Sequence, residues 1–159
     1  MNARMNNRLR QRGFTMVEVL VALVVLAIGL LGIAALYLNS LQSGRTAIYR
    51  TQAVNLAADL ADRIRMNRTA QGAYATLFAD AEVEVATCYT TGGCIDTELA
   101  ATDLARWKAT LAQMLPNGQG QVVVTPPVGA GEPASYVITV QWVEAGEAAP
   151  ITFQIGFQT

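Results

Sequence analysis

Few side chains in this chain are equipped for chemistry, and their spacing is what informs. Glu18 is the only charge between Phe14 and Gly44. It heads residues 19–38, twenty positions without a charged side chain, and Arg4, Arg8, Arg10 and Arg12 stand in front of it. A carboxylate in a membrane segment costs roughly 3 kcal/mol towards the centre and is kept mainly where it has a partner. On these residues alone, Glu18 either sits shallow enough to reach the headgroups or is held by a cationic group. Two cysteines, Cys88 and Cys94, bracket Tyr-Thr-Thr-Gly-Gly. Histidine is absent, which removes the commonest metal ligand and the commonest general base. Two thiols fall short of the four ligands of a structural zinc site, and their spacing is not that of a Cys-x-x-Cys redox pair. Glu82 and Glu84 alternate along a possible strand, but residues 69–86 read as solvated surface. With no nucleophile motif and no pocketed pair of acids, the chain is expected to be neither an enzyme nor a cofactor carrier.

The element that must position Glu18 is the apolar run. At 1.5 Å per residue, twenty residues of helix cover about 30 Å, the hydrocarbon thickness of a bilayer. A secretory signal would have a shorter apolar core and a small-x-small cleavage site. This run continues unbroken into amphipathic sequence. The arginines keep the N-terminus cytoplasmic and place everything after Tyr37 on the far side. In that exported, oxidising compartment a Cys88–Cys94 disulfide is the expectation. It closes a seven-residue loop, worth about 2–2.5 kcal/mol in chain entropy.

Helical periodicity outlasts the membrane segment. Tyr49, Ala53, Leu56, Leu60 and Ile64 recur three or four apart and mark one buried face. Asp59 with Arg63, and Asp62 with Arg65, are spaced to support the same helix. No proline interrupts residues 14–68, so a single helix of about 50 residues is predicted. Gly29, Gly32 and Gly44 are either its weak points or sites of close packing in lipid. Residues 98–115 predict a second helix with Leu99, Leu104, Trp107, Leu111 and Leu115 on a shared face, ended by Pro116-Asn117-Gly118. Trp107 reads as a core anchor. Residues 69–86 read as a loop with a short helix or strand. Residues 121–125, 136–144 and 151–157 then switch to strand composition, forming an antiparallel meander. Ile138, Val140 and Trp142, and Phe153, Ile155 and Phe157, suit its core face. The second half of the long helix is the natural cover.

Arg12-Gly13-Phe14-Thr15-Met16-Val17-Glu18, followed by Val-Leu-Val-Ala-Leu, resembles the class III signal of type IV prepilins and of the pseudopilins of type II secretion. The resemblance implies an α+β, type IV pilin-like fold: a long N-terminal helix packed on a small antiparallel sheet. It further implies that a membrane-embedded prepilin peptidase cuts between Gly13 and Phe14 and N-methylates Phe14. Glu18 would then be the fifth residue of the mature chain, paired with the Phe14 amino group of a neighbouring subunit. Many pilins carry a proline within the long helix; this chain has none. Leu56-Ala-Ala-Asp-Leu-Ala-Asp-Arg-Ile-Arg-Met-Asn67, the stretch from Cys94 through Glu98-Leu-Ala-Ala-Thr-Asp-Leu-Ala-Arg-Trp107, and then Leu111 through Leu115-Pro-Asn-Gly118 are similar to segments of PilV-type minor pilins. Such subunits start pilus assembly at the tip, so the partners implied are other minor pilins, the major pilin, the inner-membrane assembly platform and a tip adhesin. Attachment and twitching motility are the outputs implied. The alternative is a minor pseudopilin of a type II secretion system.

The resulting organisation is a cleaved cytoplasmic leader (1–13), a membrane and filament-core segment (14–38), its amphipathic continuation (39–68) and an exported head (69–159). The expected address is the inner membrane, crossed once, and then the pilus. Loss of the leader takes four of the eleven basic residues, leaving seven against twelve acidic ones, or −5 from a formal charge of −1. An acidic exported chain gives no reason to expect nucleic-acid binding. Residues 87–97 and 126–133 are the exposed loops expected to meet a partner.

Overall fold

A computed structural model describes residues 13–129 and 131–159. The arginine leader lies outside the described residues. The chain divides into two units, Met1–Ser43 and Gly44–Thr159, and the long helix α1 is assigned over Met16–Met66.

Within the first unit, Thr15 starts α1 by accepting the Glu18 backbone N–H on Oγ1 at 3.3 Å, which satisfies one of the orphan donors of the first turn. The apolar side chains that follow, from Val19 to Leu38, are all exposed. That stretch has a mean hydropathy of 3.1 in its best window, none of it buried. Helical structure passes through Gly29 and Gly32, and an added methyl would meet nothing at either.

In the second unit α1 buries Ala53, Ala57, Leu60, Ala61 and Ile64. Its small side chains allow a close approach to the layer beneath. The expected Tyr49 and Leu56 lie half-buried at the margin of that stripe. The helix ends at Met66 rather than residue 68. Asn67 leaves the helical region and its side chain bonds the Asp96 carbonyl at 2.8 Å. A 3₁₀ turn, Arg68–Tyr74, follows. A second, Ala86–Tyr89, leads to helix α2, Asp96–Met114. Strands β1 (Gln119–Thr125), β2 (Ser135–Trp142) and β3 (Ile151–Gln158) form an antiparallel sheet with β2 central. The long apolar helix and small antiparallel sheet give the α+β, type IV pilin-like architecture predicted.

Register explains which strand residues are inside. Val122, Ile138 and Ile155 are aligned across the sheet, as are Tyr136 and Phe157, and Val140 and Phe153. Ile138, Val140 and Trp142 are fully or almost fully buried, while the β3 aromatics are half-buried because β3 is an edge. Trp107 is the core anchor expected, and its indole N–H reaches the Leu56 carbonyl of α1 at 3.0 Å. Leu99 departs from expectation and is 39% exposed. It lies five residues from Leu104, about 140° around the helix, so Ala100 takes the inward position.

Residues 69–86 are not solvated surface throughout, which corrects the reading of that stretch. Tyr74 and Thr76 are buried, and Thr76 bridges to Val122 of β1. Glu82 is half-buried, accepts a hydrogen bond from Thr76 and lies 3.8 Å from the Lys108 ammonium. Lys108 also donates to the Leu77 and Asp80 carbonyls, at 2.6 and 2.9 Å. One α2 lysine thus gathers a segment that has no periodicity of its own.

Candidate functional site

The candidate site is the start of α1, built by Gly13, Phe14, Thr15 and Glu18. Gly13–Thr15 precede the helix, and nothing lies within 4 Å of a side chain added at Gly13. Phe14 is 83% exposed and Glu18 is exposed one helical turn further on. Phe14, just ahead of the helix, lines one shallow hollow with Glu18, Val19, Ala22, Leu23 and Leu26. Thr15-x-x-Glu18 has the spacing of a capping box, and the donor to Thr15 is the Glu18 amide. That signal was present in the sequence and gives Glu18 a second role, as the acid of the first turn. The arrangement can present an accessible Gly13–Phe14 bond and, beside it on an apolar face, a carboxylate with no ion pair among the described residues.

Cys88 and Cys94 are disulfide-bonded. Glu98 returns to the Ile95 amide at 3.2 Å and Thr87 donates to the same carboxylate at 3.3 Å, so the loop and the first turn of α2 are tied together. Asp96 and Thr97 belong to α2 rather than to the loop. Cys88→Ser with Cys94→Ser is expected to cost about 2–2.5 kcal/mol, measured as the unfolding free energy with and without reductant.

A polar cluster that runs from the surface into the core has no signature in the sequence. The Arg63 guanidinium donates to Asp59 at 3.0 Å, the pairing expected, and also to Asp103 at 2.8 Å. Asp103 accepts the Tyr74 hydroxyl at 3.0 Å, and Asn67 donates to that hydroxyl at 3.2 Å. Every member has a partner, so the cluster locks α1, the 3₁₀ turn and α2 together instead of presenting a reactive group. The hydrogen bond to Asp103 raises Arg63 further above its already high range. Burial, with the Asp103 charge adding to it, raises the Tyr74 hydroxyl well above 10. Unfolded tyrosine titrates near 10. Above that pH the unfolded chain releases a proton that the folded chain keeps, so stability falls as pH rises. Tyr136, raised by burial, acts in the same direction. Lys108, lowered by burial, acts oppositely up to its ordinary value of 10.5. Where the unfolded tyrosine has lost its proton and the folded one has not, Tyr74 is expected to remove up to about 1.4 kcal/mol per pH unit. Denaturant unfolding of Tyr74→Phe should lack that part of the slope.

The site is thus an apolar helix long enough to cross a membrane, with a single acid in its first turn and a glycine just before it. A family model described as the prokaryotic N-terminal methylation motif matches residues 8–34. A second, described as Tt1218-like, type IV pilin Tt1218, matches residues 35–105. The two adjoining matches support a type IV pilin, a family of structural subunits rather than enzymes. No curated protein and no solved structure matches. The methylation motif implies processing by a prepilin peptidase and assembly from the membrane.

Proposed function

We propose that this pilin is a minor subunit of the PilV type that takes part in starting pilus assembly within a tip complex. Cleavage falls between Gly13 and Phe14, Phe14 is N-methylated, and Glu18 docks on the Phe14 amino group of a neighbouring subunit. The precursor crosses the inner membrane once with its N-terminus cytoplasmic, and the mature subunit then enters the pilus, where it supports adhesion and twitching motility. Its partners are other minor pilins, the major pilin, the assembly platform and a tip adhesin.

The observation that carries this reading is where the PilV-like segments meet. Asn67 bonds Asp96, Arg63 bonds Asp103 and Trp107 bonds Leu56. The two longer blocks that carry the resemblance, one on each helix, face each other in a single junction. That supports a shared head design, over and above a shared N-terminal signal.

Deleting the gene and scoring sheared surface pili alongside exoenzyme secretion tests the proposal. Loss of pili with normal secretion is expected. Normal pili with blocked secretion would overturn it in favour of a type II pseudopilin.

A further inference from the structure

The outer edge of β3 combines three features that point to a ligand. Ala134 and Thr159 exchange both backbone hydrogen bonds, each 3.1 Å. In an antiparallel ladder bonded and non-bonded pairs alternate. With the observed register, Phe157, Ile155, Phe153 and Ile151 therefore bond to β2. The amides and carbonyls of Thr152, Gln154, Gly156 and Gln158 point away from it. All four residues are exposed, and no backbone or side-chain partner reaches those groups among the described residues.

The second feature is the lack of protection. Native edges are blunted by lysine, proline, inward charges or bulges. Residues 151–158 contain no charge and no proline, and the ladder to β2 has no bulge. On the inner side Ile151, Phe153, Ile155 and Phe157 are only half-buried. The third is a pocket of about 280 Å³ beside that edge, lined by Arg50, Val54, Trp142, Ile151, Thr152 and Phe153. Arg50 makes no ion pair among the described residues.

We infer that the β3 edge is a strand-addition site for an extended segment of another protein, apolar on alternate residues, with a carboxylate set against Arg50. Main-chain hydrogen bonds supply affinity in this mode, and pockets for alternate side chains supply specificity. The unpaired groups of β3 provide the first and the Arg50 pocket the second. Charge selects the occupant. Arg50 calls for an acid, and a second copy pairing through β3 would bring to it a strand, residues 151–158, that has no charged side chain. The inference does not depend on which filament the subunit enters.

The test uses the full chain in detergent micelles and three fluorescent ten-residue peptides. The first alternates valine and threonine, with glutamate at the inward position nearest Arg50. The second carries lysine there. The third is the glutamate peptide with the amides of its pairing edge N-methylated. The glutamate peptide is expected to bind at least tenfold more tightly than the lysine peptide, and the N-methylated one not at all. Arg50→Glu should reverse the charge preference. Gln154→Pro removes an outward amide and the side-chain bond to Thr139 but keeps the backbone ladder to β2, and it should weaken binding at least tenfold. Gln154→Ala, which loses only the side-chain bond, should bind as the wild type does. Should Gln154→Pro fail to fold, the N-methylated peptide and Arg50→Glu still decide. Absence of binding, equal binding of the N-methylated peptide, or indifference to Arg50→Glu would overturn the inference. So would sedimentation showing dimers of the wild-type chain that Gln154→Pro dissolves, because the occupant would then be a second copy.

Discussion

Glu18→Ala is expected to yield a subunit that is cut after Gly13 and N-methylated at Phe14, yet reaches sheared fibres at less than a tenth of the wild-type level. Glu18 is exposed on a helix face that is otherwise apolar, with Phe14 one turn before it. In the proposed filament that carboxylate is desolvated and compensated by the amino group of Phe14 on the next subunit. Removing one partner of a buried pair typically costs about 3–5 kcal/mol, and each 1.4 kcal/mol is about a tenfold change in an equilibrium. Loss of the helix itself does not explain such an effect. An acid in the first turn is worth only about 0.3–1 kcal/mol, and the Thr15 cap uses the residue 18 backbone amide, which alanine retains. Immunoblots of membrane and sheared fractions, with mass spectrometry of the N-terminal peptide, check both halves of the expectation. Wild-type levels in the fibre would remove Glu18 from docking.

The second large effect is expected at the junction of α2 and β1. A Cβ at Gly118 would overlap the Leu111 carbonyl oxygen and lie 2.8 Å from both the Leu111 carbonyl carbon and the Leu115 Cβ. That carbonyl already accepts the Leu115 amide at 3.0 Å and closes the last turn of α2. Neither side can yield cheaply. Leu111 and Leu115 are buried, and Asn117 reaches a φ of 51° to turn the chain. One residue beyond Gly118, β1 is in register with β2. Overpacking commonly costs about 1–3 kcal/mol and more where backbone must move. We expect Gly118→Ala to lose roughly 3 kcal/mol, lowering the melting temperature by about 10–20 °C. Near-UV circular dichroism of Trp107 and Trp142 would report it. Gly72→Ala, where an added methyl meets nothing within 4 Å, should stay within about 0.5 kcal/mol of wild type.

The contrast between these two predictions follows the line between local and distant physics. The membrane segment was legible because apolar transfer depends on composition and length alone. Both helices were legible to within a few residues because amphipathic period and a proline stop are local. The meander could be read from composition switching between turn residues. Leu99 falls off the buried face because its five-residue offset from Leu104 turns it about 140° around the helix, leaving the inward place to Ala100. Residues 69–86 were misread for another reason. Their order comes from Lys108 and from Thr76 bridging to Val122, and neither contact leaves a period in the segment itself.

The sequence by itself determined that an N-terminal helix can cross a membrane, that one acid stands at its head, and that two cysteines are close enough to pair. Each follows from residues within a few turns of one another, where side-chain type and spacing set the energy. Only the tertiary structure decided that Arg63 and Asp103, 40 residues apart, share an ion pair and that Tyr74 donates to the same carboxylate across 29 residues. It also decided that β3 is left with an open edge beside Arg50. Those outcomes depend on which surfaces meet when α1, α2 and the sheet close on a common core, and no local pattern encodes that meeting.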